Sequence, residues 1–191
     1  MSPSFFSMIF MKTKILLHTC CAPCSSAIVE WLIQHDYEPI IFYHNPNIFP
    51  YEEYEIRKKE SKRFAESLHL QWIEGENNHE LWLKKMEGLE DQPERGSRCL
   101  ECFRYRMLAT AQCAKSLGIS LFATTLASSR WKSLSQIAIA GHEAVDRVGG
   151  DLQFFDKNWR KNGLQNRRNE LLKQYNFYNQ QYCGCEFSMK K

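Results

Sequence analysis

Seven of the eight cysteines in this chain fall into three tight groups: Cys20-Cys21-Ala22-Pro23-Cys24, Cys99-Leu100-Glu101-Cys102 and Cys183-Gly184-Cys185. A lone buried cysteine acts as a small apolar residue, a role that does not recur in closely spaced pairs. Cys113, the eighth, fits that role on a helix face with Leu108 and Leu117. The groups instead offer thiolates for metal binding or electron transfer. Two pairs would satisfy one tetrahedral zinc, but seven thiols are too many for it. Cys21-Ala-Pro-Cys24 behind a strand also has the form of a thioredoxin-type dithiol, which gives the other two groups no purpose. Four thiolates ligate a four-iron four-sulfur (4Fe-4S) cluster, and Cys20, Cys21, Cys99 and Cys102 would supply them. Cys183 and Cys185, one glycine apart, would close a small, strained and easily reduced disulfide, a property of catalytic pairs that store two electrons. A cluster passes electrons singly, so a two-electron reaction calls for a partner. That partner is either this dithiol or a second metal on leftover thiolates such as Cys24.

The compartment decides between disulfides and reactive thiols. Residues 1–11 are apolar and uncharged, and Lys12 and Lys14 follow them, the reverse of the charge order of a signal peptide. We expect a cytoplasmic protein whose cysteines stay reduced, with residues 1–11 a disordered leader or a misplaced start and residues 12–191 one α/β domain. The 191 residues are 43% hydrophobic and 25% charged, with a mean hydropathy of -0.49. That is ordinary globular composition, without a membrane-length apolar run or a low-complexity tract.

The elements that must position the thiols alternate strand and helix. Apolar runs at 14–18, 39–44, 70–74, 119–125 and 152–155 read as strands, and helical spacing marks 51–68, 79–86, 100–117, 134–148 and 165–175. A further helix opens at Ser25-Ser26, with serine as its N-cap. The first cysteine group therefore lies between a strand and a helix N-terminus, where free N–H groups and the helix dipole favour thiolate. Alternation of this kind implies a parallel sheet covered on both faces, with ligands beyond the C-terminal strand ends.

Residues 157–173 hold six cations against one anion, in a chain of net charge +3. With Trp159, Tyr175, Phe177 and Tyr178 beside them, they suit phosphate neutralisation plus base stacking on single-stranded nucleic acid; a solvated helix face is the plainer alternative. Arg104, Arg106, Arg130 and Lys132 are further candidates for phosphate. Tyr43, Asn45, Lys157 and Arg160 complete the candidate substrate contacts, and Ile48, Phe49 and Tyr51 flank a loop that could stack a base or simply pack.

With these residues in hand, the chain from Lys14 to Ser188 resembles the cobalamin-independent epoxyqueuosine reductases of the QueH family. The resemblance rests on Leu17-His-Thr-Cys-Cys-Ala-Pro-Cys-Ser25, Phe42-Tyr-His-Asn-Pro-Asn-Ile48, Glu52-Glu-Tyr54 and Cys99-Leu-Glu-Cys-Phe-Arg-Tyr-Arg106. It continues through Thr124-Thr-Leu126, Phe155-Asp-Lys157, Asn162-Gly163 and Gln181-Tyr-Cys-Gly-Cys185. It implies a three-layer fold like that of the adenine-nucleotide α-hydrolases, and the last step of queuosine synthesis, removal of the epoxide oxygen of epoxyqueuosine in a transfer RNA anticodon. It implies Cys20, Cys21, Cys99 and Cys102 as cluster ligands, Cys183 with Cys185 as the redox-active pair, transfer RNA and an unidentified electron donor as partners, and no membrane. Cys24 stays open, with a second mononuclear iron as one use for it. Pro23 removes an N–H that a phosphate cradle would need, so we expect no use of ATP.

Deoxygenating an epoxide needs an acid for the departing oxygen. His18, Tyr43, His44 and Asp156 end predicted strands where that acid would sit, although strand-end residues of these types are usually structural. Three classes of function stand at this point: an iron-sulfur reductase acting on transfer RNA, a thioredoxin-like dithiol oxidoreductase, and a zinc-stabilised RNA-binding module.

Overall fold

The computed structural model describes residues 12–189. The expectation for residues 1–11 lies outside them. Five parallel strands form one sheet in the order β3-β2-β1-β4-β5. They are β1 (Thr13–Thr19), β2 (Tyr37–Tyr43), β3 (Trp72–Glu74), β4 (Leu121–Thr124) and β5 (Gln153–Phe154). The helices are α1 (Ala22–Gln34), α2 (Tyr51–Ser67), α3 (His79–Met86), α4 (Ser97–Ser116), α5 (Leu134–Val148) and α6 (Leu164–Gln174).

Continuous apolar runs place the central strands in the interior. The last five residues of both β1 and β2 are buried, because helices cover each face of the sheet. Leu17 pairs with Ile41 on one side and Ala123 on the other, which centres the core on β1. From β1 the chain steps outward through β2 to β3, then returns across β1 to β4 and β5. Right-handed crossovers set α1 and α2 on one face and α4 and α5 on the other. Contacts of α1 with α2 and α6, and of α4 with α3 and α5, complete the two outer layers, as the expected three-layer architecture requires. Where the strand order reverses, the C-terminal ends of β1 and β4 lie side by side and open a crevice.

Two helices begin three residues earlier than expected, and both shifts move cysteines. Helix α1 starts at Ala22 with Cys21 in the N-cap position in extended conformation and Pro23 in its first turn. Proline is well placed there, since its missing N–H has no partner in a first turn. Ser25 and Ser26 therefore cap nothing. Their hydroxyls donate back to the carbonyls of Cys21, Ala22 and Pro23. Helix α4 starts at Ser97, so Cys99 and Cys102 share one face of its opening turns. Helices α3 and α5 have the bounds that their periodicity predicted.

Gly141 in α5 is required by the close approach of β5. A Cβ there would stand well inside van der Waals contact of the Phe154 ring, which packs on Phe122. Alanine gains about 1 kcal/mol of helix propensity over glycine, but overpacking costs about 1–3 kcal/mol. Gly141→Ala should lower the urea unfolding midpoint at unchanged slope; a raised midpoint would contradict this packing.

Candidate metal and thiol centre

The first cysteine group lies at the reversal crevice. The Sγ atoms of Cys20, Cys21 and Cys24 all lie within 4.8 Å of one another. Cys20 and Cys21 are buried, and their sulfurs are 3.8 Å apart. Thr125, just past β4, brings its hydroxyl to 3.9 Å of Cys20. Gln180 Nε2 donates to Cys21 Sγ at 3.0 Å and Cys24 Sγ at 3.3 Å, while its Oε1 has no partner. Hydrogen bonds from the Cys21 and Cys24 thiols, against the opposing cost of burial, hold Cys20 well below its ordinary value. The same bond to Cys20 pushes Cys24 up to about 12, and burial raises Cys21. The first negative charge of the triad therefore rests on Cys20. The N-terminus of α1 adds its positive dipole end.

The other two groups meet the first around one cavity of about 1080 Å³, lined by Cys20, Cys24, Cys99, Cys102, Cys183 and Cys185. Cys99 accepts the Arg95 backbone N–H at 3.3 Å. Cys102 and Cys185 pack together with Trp82 and Met86. Burial raises Cys99 and Cys102, and pushes Cys185 up to about 12. Cys113 lies outside this lining and packs against the main core, as expected of a lone cysteine.

The Cys-Gly-Cys segment is held from several directions. Arg57, 2% exposed, binds Glu53 at 2.7 Å and donates to the carbonyls of Cys183 and Tyr182 at 3.2 Å each. The Tyr178 hydroxyl donates to the same Glu53 carboxylate at 2.7 Å. The Phe49 N–H donates to the Gly184 carbonyl at 2.8 Å, and His79 bridges the Pro46 carbonyl and Glu186. Arg57 was not among the sequence candidates, because a cation in a highly charged helix cannot be told from a solvated one by spacing. Gln180 carried no signal except its nearness to Cys183.

Several candidates are placed away from the cavity. His18 is fully buried between Thr124 Oγ1 at 2.8 Å and the His44 carbonyl at 3.1 Å. Arg106 Nε lies 3.3 Å from His18 Nε2, Arg106 Nη2 donates to Asn45 Oδ1 at 2.5 Å, and Asn45 donates to the Thr19 carbonyl at 2.8 Å. Tyr43 donates to the Tyr54 carbonyl at 3.1 Å. Tyr43, Asn45, His18 and Arg106 thus brace the sheet end from within and offer substrate no surface. His44 stacks between Phe42 and Tyr105 beside a separate cavity of about 280 Å³. Asp156 stands 3.6 Å from His142, outside the thiol cavity.

The cationic candidates divide in the same way. Arg104 is gripped by Glu143 and Glu101, and Arg167 by Glu30 and Glu170, so neither is a free phosphate contact. Lys157 caps the Trp31 ring at 3.9 Å, and Arg160 donates to the carbonyls of Ser129 and Lys132. Of the aromatics in the basic stretch, Trp159 is 1% exposed and donates to the Thr124 carbonyl at 3.0 Å. Tyr175 and Phe177 pack on Phe64. Trp159 and Phe177 are thereby taken up by the core and offer no face to a base, whereas Tyr178 is exposed and Arg168 lines the thiol cavity. Arg130 and Lys132 do line the thiol cavity. Burial opposes charge on Lys132, yet the nearby sulfurs of Cys183, Cys20 and Cys24 hold it above the ordinary lysine value.

Two outcomes test this geometry. Gly184 has φ of +107°, and a Cβ would meet Ile48 Cγ1 at 2.9 Å and Arg57 Nη1 at 3.0 Å. Strain of about 1–3 kcal/mol in Gly184→Ala should make proteolysis after residue 180 about tenfold faster or more through local opening; an unchanged rate would contradict the clamp. Burial, with Arg106 beside it, lowers His44 to about 4. The unfolded chain then binds the extra proton, so stability is full above about pH 6.5 and falls as pH drops toward 4. His18, lowered by burial in the same way, shares in that slope, so His44→Phe should lessen it; an unaltered slope would remove His44 as a contributor.

Comparison with known proteins gives the family of the chain. The family model for epoxyqueuosine reductase QueH matches residues 15–191. The chain is 42% identical over 177 residues to epoxyqueuosine reductase QueH of Histophilus somni (strain 129Pt), covering 93% of this chain and 72% of that one. It is 41% identical to the Acinetobacter baylyi protein of that name, covering 93% and 81%, and 34% identical to the Thermotoga maritima one, covering 92% and 90%. Among solved structures, a predicted subunit of tRNA methyltransferase from Methanocaldococcus jannaschii superposes with a TM-score of 0.56 at 13% identity, covering 92% of this chain and 98% of that one, a likeness of fold. The chain belongs to the QueH family of epoxyqueuosine reductases, and is an oxidoreductase.

Proposed function

We propose that this protein removes the epoxide oxygen of epoxyqueuosine in a transfer RNA anticodon, the closing step of queuosine synthesis, by iron-sulfur chemistry in the thiol cavity. Family membership supports the substrate. The observation that carries the chemistry is the meeting of six cysteines from three distant stretches around one cavity. A dithiol oxidoreductase would need two of them, and a zinc module four.

The donor set suits iron and sulfide, because the clustered ligands are all thiols and no carboxylate or imidazole joins the triad. Cys20, Cys21, Cys99 and Cys102 would hold a 4Fe-4S cluster, and Cys24 a second, mononuclear iron. When bound, such a centre supplies single-electron transfer and a Lewis acid. Cys183 and Cys185 supply the two-electron balance. Both epoxide C–O bonds break, the two thiols become a disulfide, and their two hydrogens leave with the oxygen as water. A separate reductant, the unidentified electron donor, then restores the dithiol. Arg57 fixes this segment by its backbone, so its side chains can change partners without the loop moving. Proline at 23 and three thiols stand where a phosphate cradle would need N–H groups, and we assign no role to ATP.

No helix of the described residues is long and apolar enough to cross a membrane. Anaerobic incubation with transfer RNA carrying epoxyqueuosine and a chemical reductant should release a nucleoside lighter by one oxygen, and an unaltered nucleoside would refute the proposal. Cys99→Ser should yield colourless protein, whereas Cys185→Ser should keep the brown colour and lose turnover. An active Cys185→Ser enzyme would end the redox-pair assignment.

A further inference from the structure

The segment following β4 carries a feature that the fold does not explain. Trp131 is 63% exposed, and among the described residues it is the only exposed aromatic in the lining of the thiol cavity. Leaving an indole in water forgoes a large apolar burial. A slack loop is not the reason, because side chains from three other stretches strap this backbone. Arg95 donates to the carbonyls of Trp131 at 2.9 Å and Arg130 at 2.7 Å. Arg160 donates to the carbonyls of Ser129 and, at 2.6 Å, Lys132, while Gln165 donates to that of Ser128 at 2.9 Å.

These cations are spent on carbonyls, so their charge stays uncompensated. Among the described residues Arg95, Arg130 and Arg160 form no ion pair with a carboxylate, in contrast to Arg104 and Arg167. Glu94 is the one acid within the lining beside them. The guanidinium of Arg130 stands 4.7 Å over the Trp131 ring, close enough to share a stacked ligand and reach its phosphate. A fixed π-face amid unpaired cations, at the mouth of a cavity large enough for a nucleoside, fits an unstacked nucleotide.

We propose that Trp131 is the stacking platform for a nucleobase adjoining the reacting nucleotide, with Arg130 on its phosphate. The proposal rests on the RNA substrate assigned above, and places base stacking here rather than at Phe49 or Tyr51, which lie outside this lining. Trp131 is a positioning residue, since it holds a neighbour of the reacting group and not the group itself.

The test titrates an anticodon stem-loop RNA into wild type, Trp131→Phe and Trp131→Ala while following tryptophan emission, and measures KM and kcat for deoxygenation of the same RNA. Stacking should quench wild-type emission, and the quench should vanish in Trp131→Ala. KM for RNA should rise about tenfold in Trp131→Ala with kcat within about twofold, and Trp131→Phe should recover most of the affinity. Arg130→Gln should lessen the salt dependence of binding. Wild-type affinity in Trp131→Ala, or a quench that persists there, would overturn the platform. Wild-type protein that shows this quench but deoxygenates nothing would refute the reductase and leave the platform standing. Wild type that deoxygenates RNA without any quench would refute the platform alone.

Discussion

A parallel sheet whose chain reverses direction beside its first strand must leave a crevice where two neighbouring strands send their loops to opposite faces. In this protein those strands are β1 and β4, and the residues that leave them are Cys20 and Thr125. The crevice needs lining, because the backbone at both strand ends is buried. The chain lines it with sulfur from α1, from the first turns of α4 and from the C-terminal segment. The site is therefore a consequence of topology first, and residue chemistry fills a place that the sheet has already made.

Sulfur alone would not hold there, since burial disfavours thiolate. Cations at three depths offset this. Arg106, 1% exposed, has no carboxylate partner among the described residues and donates to Asn45, so its field reaches Cys20. Arg57, paired with Glu53, stands on the side of α2 and is itself held above its ordinary value by the nearby Cys21, Glu53 and Cys20 against burial. Lys132 closes the arrangement from the loop after β4. A buried guanidinium without a carboxylate would be costly in an apolar core. Beside a set of clustered thiols it becomes the counter-charge of whatever anionic centre they form.

Much of this was legible in the sequence, and the boundary is instructive. Cysteine spacing exposes chemistry because pairs at short intervals have no packing explanation, and strand-helix alternation places the first group at a strand end. Helices α3 and α5 were readable to the residue from their apolar period. The starts of α1 and α4 were not, because Ser25 and Pro23 give opposing local signals and residues 97–99 are polar. Least legible were the roles of charges and rings. Arg57, Arg104, Arg106 and Arg167 look alike in sequence, yet two anchor buried groups and two sit in surface ion pairs. Trp159, Tyr175 and Phe177 read as stacking residues only until long-range packing claims them, while Trp131, outside the basic stretch, is left exposed. Which partner a side chain finds is a non-local property, and spacing does not encode it.

The central claim is that sulfurs from separate stretches share one inorganic centre at the β1–β4 crevice. Anomalous diffraction at the iron edge, from crystals of anaerobically prepared protein, addresses it directly. Iron density is expected between the sulfurs of Cys20 and Cys21 and those of Cys99 and Cys102. Iron bound elsewhere, or a lone zinc on the Cys20, Cys21 and Cys24 triad, would contradict it.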